Sequence, residues 1–208
     1  MQIVGRSSSL FTRMPLIFAE ELAVAYELVP IYDMTTLSAE VYAGNPALKL
    51  PILRTNGSTL FGAQNICRAI AEMAGGPARI VWPEQLRDNL SRNAQELVWH
   101  CMAAQVQLIV GTLIGKLPAD NIYFAKARAG LERSLRWLDA HLSAVLQLLP
   151  LPRDFSLFEV SLYCLVEHLG FRGTVPIEPY AALVAFTQEF SARPSAQRTA
   201  FRFDGGAR

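Results

Sequence analysis

Apolar and polar positions follow two different rhythms along this chain of 208 residues. Up to about residue 76, short apolar runs alternate with segments of helical period. Gln2 to Gly5 predicts a short first strand, and Phe11 to Ala23 a helix with Phe11, Leu16, Phe18 and Leu22 on its inward face. Pro15 falls near the first turn of that helix, where a missing N–H does least damage. Tyr26 to Ile31 predicts a second strand and Thr36 to Tyr42 a short helical piece. Leu50 to Arg54 and Ser58 to Phe61 predict a hairpin, because Asn56-Gly57 tolerates the positive φ of a tight turn. Ala63 to Ala74 closes the series as a helix with Ile66, Ile70 and Met73 on one face. Four short strands with helices between them fit a sheet under helical cover.

Gly75, Gly76, Pro77 and Pro83 punctuate the next stretch and predict a linker at about residues 75 to 84. Beyond it the pattern is helical. Asn89 to Gly111 carries Leu97, Cys101, Ala104 and Leu108 on one stripe. Asn121 to Leu149 has Leu131, Leu135, Leu138, Leu142, Val145 and Leu149 at spacings of three and four, which predicts a packed stripe in a bundle. Ser156 followed by Glu159 is a capping-box signal for a further helix, with the carboxylate returning to the Ser156 N–H. Tyr180 to Ala196 reads as a closing helix, and TAFRFDGGAR after it as a loosely fixed tail.

A chain of this length buries about 70% of its extended surface, enough for one large core or two small domains. Charged residues make up only 18% of it, which leaves little repulsion to keep copies apart and favours a chain that covers some apolar surface with a partner. Lys and Arg total 19 against 18 Asp and Glu, without a basic run, so composition offers no electrostatic case for nucleic acid. Arg6 and Arg13 interrupt the apolar residues of the amino terminus, unlike a secretory signal. No run of eighteen apolar residues occurs, so no membrane span is expected. Cys67, Cys101 and Cys164 are scattered and odd in number, and read as small buried hydrophobes of a reducing, cytoplasmic protein rather than as disulfide or metal ligands. His100 and Cys101 are adjacent in a helix and do not share a face, so they form no metal pair.

Pro51 cannot sit inside a hydrogen-bonded ladder and marks a sheet edge or approach turn where backbone is open to a ligand, with either isomer of the Leu50-Pro51 bond left open. In order along the chain, SSSLFTRMPLIFAEELAVAYELVPIY, NPALKLPIL and NGSTLFGAQNICRAIAE resemble the first domain of the glutathione S-transferase superfamily. RDFSLFEVSLYCLVEHLG and PIEPYAALVAFTQEFSARPSA resemble its helical second domain, so the likeness runs from Gln2 to about Ala196. The implied fold is α/β plus all-α: a thioredoxin-like domain over residues 1–76 and an all-helical domain over residues 84–200.

Ser7, Ser8 and Ser9 stand just before the first helix, where a hydroxyl and unpaired N–H groups favour a thiolate. Serines there are equally ordinary loop and cap residues. The resemblance implies that Ser9 is the catalytic position that hydrogen-bonds the glutathione thiolate, with Ser7 and Ser8 as alternatives. No Tyr precedes Tyr26 and no Cys precedes Cys67, which disfavours tyrosine activation and a mixed disulfide on this loop. By the same resemblance, Leu50 and Pro51 present backbone to glutathione as cosubstrate, and the pair Gly62-Ala63 stands where the family carries Glu or Asp followed by Ser. That replacement removes a carboxylate and a hydroxyl from the γ-glutamyl end, a loss of about 1–3 kcal/mol per unsatisfied buried group. Gln64 or Asn65 offers a substitute amide. Trp99, His100 and Met102 stay unassigned, being commoner as packing residues than as parts of an electrophile site.

The implied activity is conjugation or isomerisation of a small hydrophobic electrophile with glutathione. Two alternatives stand beside it: a non-catalytic ligand-binding or interaction module with an altered glutathione site, and thiol reduction by a cysteine that folding brings near Pro51.

Overall fold

The structure, a computed structural model, describes residues 1–76 and 78–205. Pro77 of the expected linker and the last residues of the expected tail, Gly206 to Arg208, lie outside the described residues. Two compact units are present, Met1–Ala78 with Ser191–Arg208, and Arg79–Phe190.

The first unit is built on a four-stranded sheet: β1 (Gln2–Gly5), β2 (Glu27–Pro30), β3 (Ile52–Thr55) and β4 (Ser58–Phe61), in the order β2-β1-β3-β4. β1 and β2 are parallel, with Gln2 opposite Glu27, whereas β3 runs antiparallel to both β1 and β4. α1 (Leu10–Glu21) supplies the crossover and α2 (Ala63–Ala74) follows the hairpin, and the two helices pack on each other. A separate cluster of Val4, Ile31, Tyr42 and Ile52 is backed by Leu48, Leu50 and Phe61.

α1 does not present the narrow face expected of it. Leu10, Met14, Leu16, Ile17, Phe18 and Ala19 are all buried, because helix, sheet and carboxyl-terminal residues surround it. The expected helix at Thr36 to Tyr42 is absent. The Asp33 carboxylate accepts from the Thr35 N–H and hydroxyl, and Thr36 Oγ1 accepts from the Ser38 N–H. Such local side-chain bonds offer the backbone an alternative to a helix.

In the second unit α3 (Asn89–Leu108), α4 (Ile122–Leu148) and α5 (Leu157–Arg172) form the core, and α3 packs on both α4 and α5. The stripe expected on α4 is the buried one: Leu131, Leu135, Leu138, Leu142 and Val145. α3 turns its seam about one residue from the expected stripe, burying Ala94, Val98, Cys101, Met102, Gln105 and Leu108, and it continues as a π-helical turn over Ile109–Ile114. Asn89–Ile114 is long and apolar enough to cross a membrane by length and composition alone, with 33% of its apolar window buried. Ser156 caps α5, accepting from the Glu159 N–H at 3.0 Å. Glu159 takes the Ser156 hydroxyl at 2.6 Å and pairs with Arg153, a fold-holding arrangement.

The expected closing helix is two helices, α6 (Ala181–Ser191) and α7 (Pro194–Arg198). Pro194, lacking an N–H, ends the first and sits in the first turn of the second. The residues after α7 are not a loose tail. Thr199 is buried, Phe201 stacks under the Arg13 guanidinium at 4.3 Å, and the Asp204 carboxylate accepts from the Ser7 N–H. An ion pair and a cation face that the apolar pattern does not encode hold them there.

Candidate functional site

Strand register brings the expected site residues of the first unit to one end of the sheet. Val4 lies opposite Ile52, and Ile52 opposite Phe61, so the segments Gly5 to Ser9, Leu50-Pro51 and Gly62-Ala63 all leave the sheet at that end. The Gly62 N–H reaches the Pro51 carbonyl at 3.4 Å.

The turn from β1 into α1 is tight. A Cβ on Gly5 would meet Thr12 Oγ1 at 2.5 Å, so only glycine lets the strand run so close beneath the helix. Ser9 is the N-cap of α1, with extended backbone (φ −103°, ψ 125°), and its Oγ accepts from the Thr12 N–H at 3.2 Å. The hydroxyl proton of Ser9 has no acceptor among the described residues. The cap and a donated hydrogen bond are therefore compatible on one oxygen. Ser7 and Ser8 are buried, whereas Ser9 is partly exposed. Ser7 Oγ is an orphaned polar atom, without a hydrogen bond in the described residues.

Leu50-Pro51 is cis. Asn45 shapes the loop that delivers it: 5% exposed, it accepts from the Ala47 N–H and donates to the Lys49 carbonyl at 2.7 Å. The Leu50 side chain packs on the Val4 and Ile52 cluster, and its own N–H and C=O meet no partner among the described residues. A backbone donor and acceptor are thus left for a peptide-like ligand.

Gly62 begins α2 at φ +91°, ψ 135°, without a side-chain cap. Ala63 is buried behind it. No carboxylate or hydroxyl stands at this pair, and Asn65 turns its amide back onto the Phe61 carbonyl at 3.1 Å. What remains for an anion is the first-turn backbone of α2.

The three thiols are buried and unlinked, as small core residues. Burial pushes the Cys101 thiol up to about 12, against a weaker pull from Ser134. Met102 is fully buried, while His100 is exposed and pairs with Glu96 one turn away, so neither departs from a packing or surface role. Among the described residues no three His, Cys, Asp or Glu side chains gather as a metal site. At the opposite end of the sheet an open groove is lined by Gln2, Tyr26, Glu27, Arg54 and Met73, but Gln2 is already bonded to Glu27 and Arg54, and Tyr26 to Glu20.

Sequence reasoning passed over three residues of this region. Asn45 is signalled by the Asn-Pro dipeptide, and Arg13 by a charge inside an apolar helix pattern. Asp204 carries no local signal, since its partner is 197 positions away.

Residues 8–73 match the family model described as glutathione S-transferase, N-terminal domain. No protein with a curated description matches the chain. A glutathione S-transferase of Methylobacterium radiotolerans, in complex with glutathione sulfonate, is 17% identical at a TM-score of 0.73, with 100% of this chain and 98% of that chain covered. A glutathione transferase family member of Pseudomonas fluorescens, with bound S-(propanoic acid)-glutathione, is 22% identical at a TM-score of 0.73, covering 97% and 99%. One from Methylobacillus flagellatus with glutathione bound is 20% identical at a TM-score of 0.73, covering 96% and 98%. At these identities the likeness shows a shared fold.

Proposed function

We propose that this chain, whose residues 8–73 match the glutathione S-transferase N-terminal domain, binds reduced glutathione at the Ser9, Leu50-Pro51 and Gly62-Ala63 end of the sheet and adds its thiolate to a small hydrophobic electrophile, or assists an isomerisation. The observation that carries this reading is the Ser9 hydroxyl: it caps α1 through its lone pair and keeps its proton available to a thiolate. The amino end of α1 adds the positive end of the helix dipole. The Leu50 backbone supplies a donor and an acceptor for the cysteinyl segment of the tripeptide. At Gly62-Ala63 only main-chain donors serve the γ-glutamyl end.

In the chemical step glutathione releases its thiol proton to solvent, and the thiolate, held by Ser9, uses its electron pair to form a C–S bond while the electrophile's leaving group departs with its bonding pair, or the π pair of an activated C=C moves out and takes up a proton from solvent. The apolar electrophile class and a homodimer in a cytoplasmic setting belong to the same proposal; the low charge fraction supports the homodimer, and the three buried thiols, none in a disulfide, support the cytoplasmic setting. Sedimentation at micromolar protein checks the dimer, and a single monomer mass rejects it.

A second reading has its own support in the bare Gly62-Ala63 pair, which favours a ligand-binding or interaction module that does no glutathione chemistry. Calorimetric titration with reduced glutathione at neutral pH separates the two. Saturable binding at micromolar to low millimolar affinity supports the transferase and justifies an electrophile screen; no binding across that range puts the module first. A thiol reductase fits poorly, because its nucleophile would have to be one of three buried thiols.

A further inference from the structure

The residues beyond α7 close over the loop that carries Ser9. Arg13, 1% exposed, reaches from α1 to the Ala196 carbonyl at 3.0 Å and to Thr199 Oγ1 at 3.5 Å, with its guanidinium 4.3 Å over the Phe201 ring. At the other end of α1, Glu21 receives Arg193 at 2.8 and 2.9 Å and the Ser195 hydroxyl. From those anchors the chain runs on to Asp204, which lies against the loop itself. The Asp204 carboxylate takes the Ser7 N–H at 2.9 Å and lies 4.0 Å from the Arg6 guanidinium, which in turn donates to the Tyr32 carbonyl at 3.2 Å. Its side chain is only 9% exposed.

The loop needs such a hold. The Ser9 N–H is satisfied by the Arg6 carbonyl at 3.1 Å, so the position of Arg6 and Ser7 sets where the cap residue stands. Ser7 lies two residues before Ser9, and its own hydroxyl contributes no hydrogen bond that would fix it. The one described bond of the Ser7 amide comes from the far end of the chain.

We infer that Asp204 is a positioning residue for the thiolate site: the strap Thr199 to Asp204 fixes the Arg6 to Ser9 loop through the Ser7 amide, so that the Ser9 hydroxyl points at the sulfur. This rests on the glutathione reading for its chemistry but not for its geometry. The carboxylate acts as a hydrogen-bond acceptor here. An amide oxygen in its place keeps that role, and a methyl group does not.

The test uses the full chain as wild type, Asp204→Ala and Asp204→Asn, with amide exchange followed by NMR and conjugation assayed with glutathione and chlorodinitrobenzene. Asp204→Ala is expected to speed exchange of the Ser7 amide by about tenfold or more while Ile66 and Ile70 in α2 stay protected, which shows the fold intact. Its kcat falls by about tenfold with the KM for glutathione within about threefold, since Leu50 and the α2 amino end still bind the tripeptide. Asp204→Asn restores both the protection and kcat to within about threefold of wild type. A Ser7 amide that exchanges freely in the wild type, unchanged protection in Asp204→Ala, or an Asn variant as impaired as the Ala variant overturns the inference. A wild type that binds no glutathione, yet loses Ser7 protection only in Asp204→Ala, removes the transferase reading and leaves the strap's hold on the loop established.

Discussion

α1 and α2 are both helices of 12 residues, and both begin at the same end of the sheet, yet their amino ends are built oppositely. α1 starts with a hydroxyl cap on a loop pinned by residues almost two hundred positions away; α2 starts with a glycine at φ +91° and no side-chain cap. A helix amino end offers N–H groups whatever its sequence. What a side chain adds is a directed donor, and only α1 has one. On the proposed reading, the sulfur end of the site has a side-chain donor, while the end that would hold an α-amino acid moiety offers only backbone.

The hardest blow to this contrast is Arg13→Ala. It removes a buried guanidinium from two acceptors and an aromatic face, and is expected to lower unfolding free energy by about 3 kcal/mol, read from urea denaturation. A change below about 1 kcal/mol would mean that the strap adds nothing to α1.

Next in size is Ser9→Gly. Glycine is a tolerable N-cap, so stability changes by only a few tenths of a kcal/mol, roughly, whereas Ala would cost about 1 kcal/mol. Turnover with glutathione is expected to fall by about 10- to 100-fold from loss of the donor. Full turnover in Ser9→Gly would return the role to Ser7 or Ser8.

The carboxyl end of α1 gives a pH test. Burial pushes the Glu21 carboxyl up, but hydrogen bonds from Arg193 and Ser195 and the charges of Arg193 and Arg198 outweigh it and hold the group below its ordinary 4.5. A depressed folded-state pKa stabilises the fold above the unfolded value and ceases to as pH falls through the folded one. Glu21→Gln is therefore expected to cost about 1–2 kcal/mol at neutral pH and to flatten the loss of melting temperature below about pH 4.5. Parallel melting curves for both proteins between neutral pH and the acid range would reject this.

The smallest effect is expected at α2. Ala63→Ser adds a hydroxyl at the first turn, and glutathione affinity should tighten by about three- to tenfold in a calorimetric titration. Gly62→Glu is the poorer repair, although a Cβ there would meet only Asn65 Nδ2 at 3.9 Å, because a non-glycine residue at positive φ is strained by about 1–2 kcal/mol. Unchanged affinity in Ala63→Ser would show that the bare pair is not what limits binding.

Local chemistry explains which parts of this molecule were legible beforehand. Ala63 to Ala74 reads as a helix and is one, the Asn56-Gly57 turn joins β3 and β4, and the leucine stripe of α4 faces the core, since each depends on neighbours within a few residues. Ser9 at a helix start was legible for the same reason. The Thr36 to Tyr42 segment misled because Asp33 and Thr36 bond their own backbone, a competition that helical periodicity ignores. The run from Thr199 misled more, since a polar, glycine-containing tail gives no hint of a buried arginine waiting for it.

Sequence alone determined the order of the four strands of the first sheet and the helices Ala63 to Ala74 and Asn121 to Leu149, the family likeness, the hydroxyls before α1 and the missing carboxylate at Gly62-Ala63. All of these are properties of residue types and short spacings. Tertiary structure alone decided that Ser7 and Ser8 are buried while Ser9 stays partly exposed, that Pro51, Gly62 and Ser9 leave the sheet at one end, and that Asp204 closes on Ser7. Those depend on register and on contacts between distant residues, where an ion pair or a cation over a ring has no period along the chain to announce it.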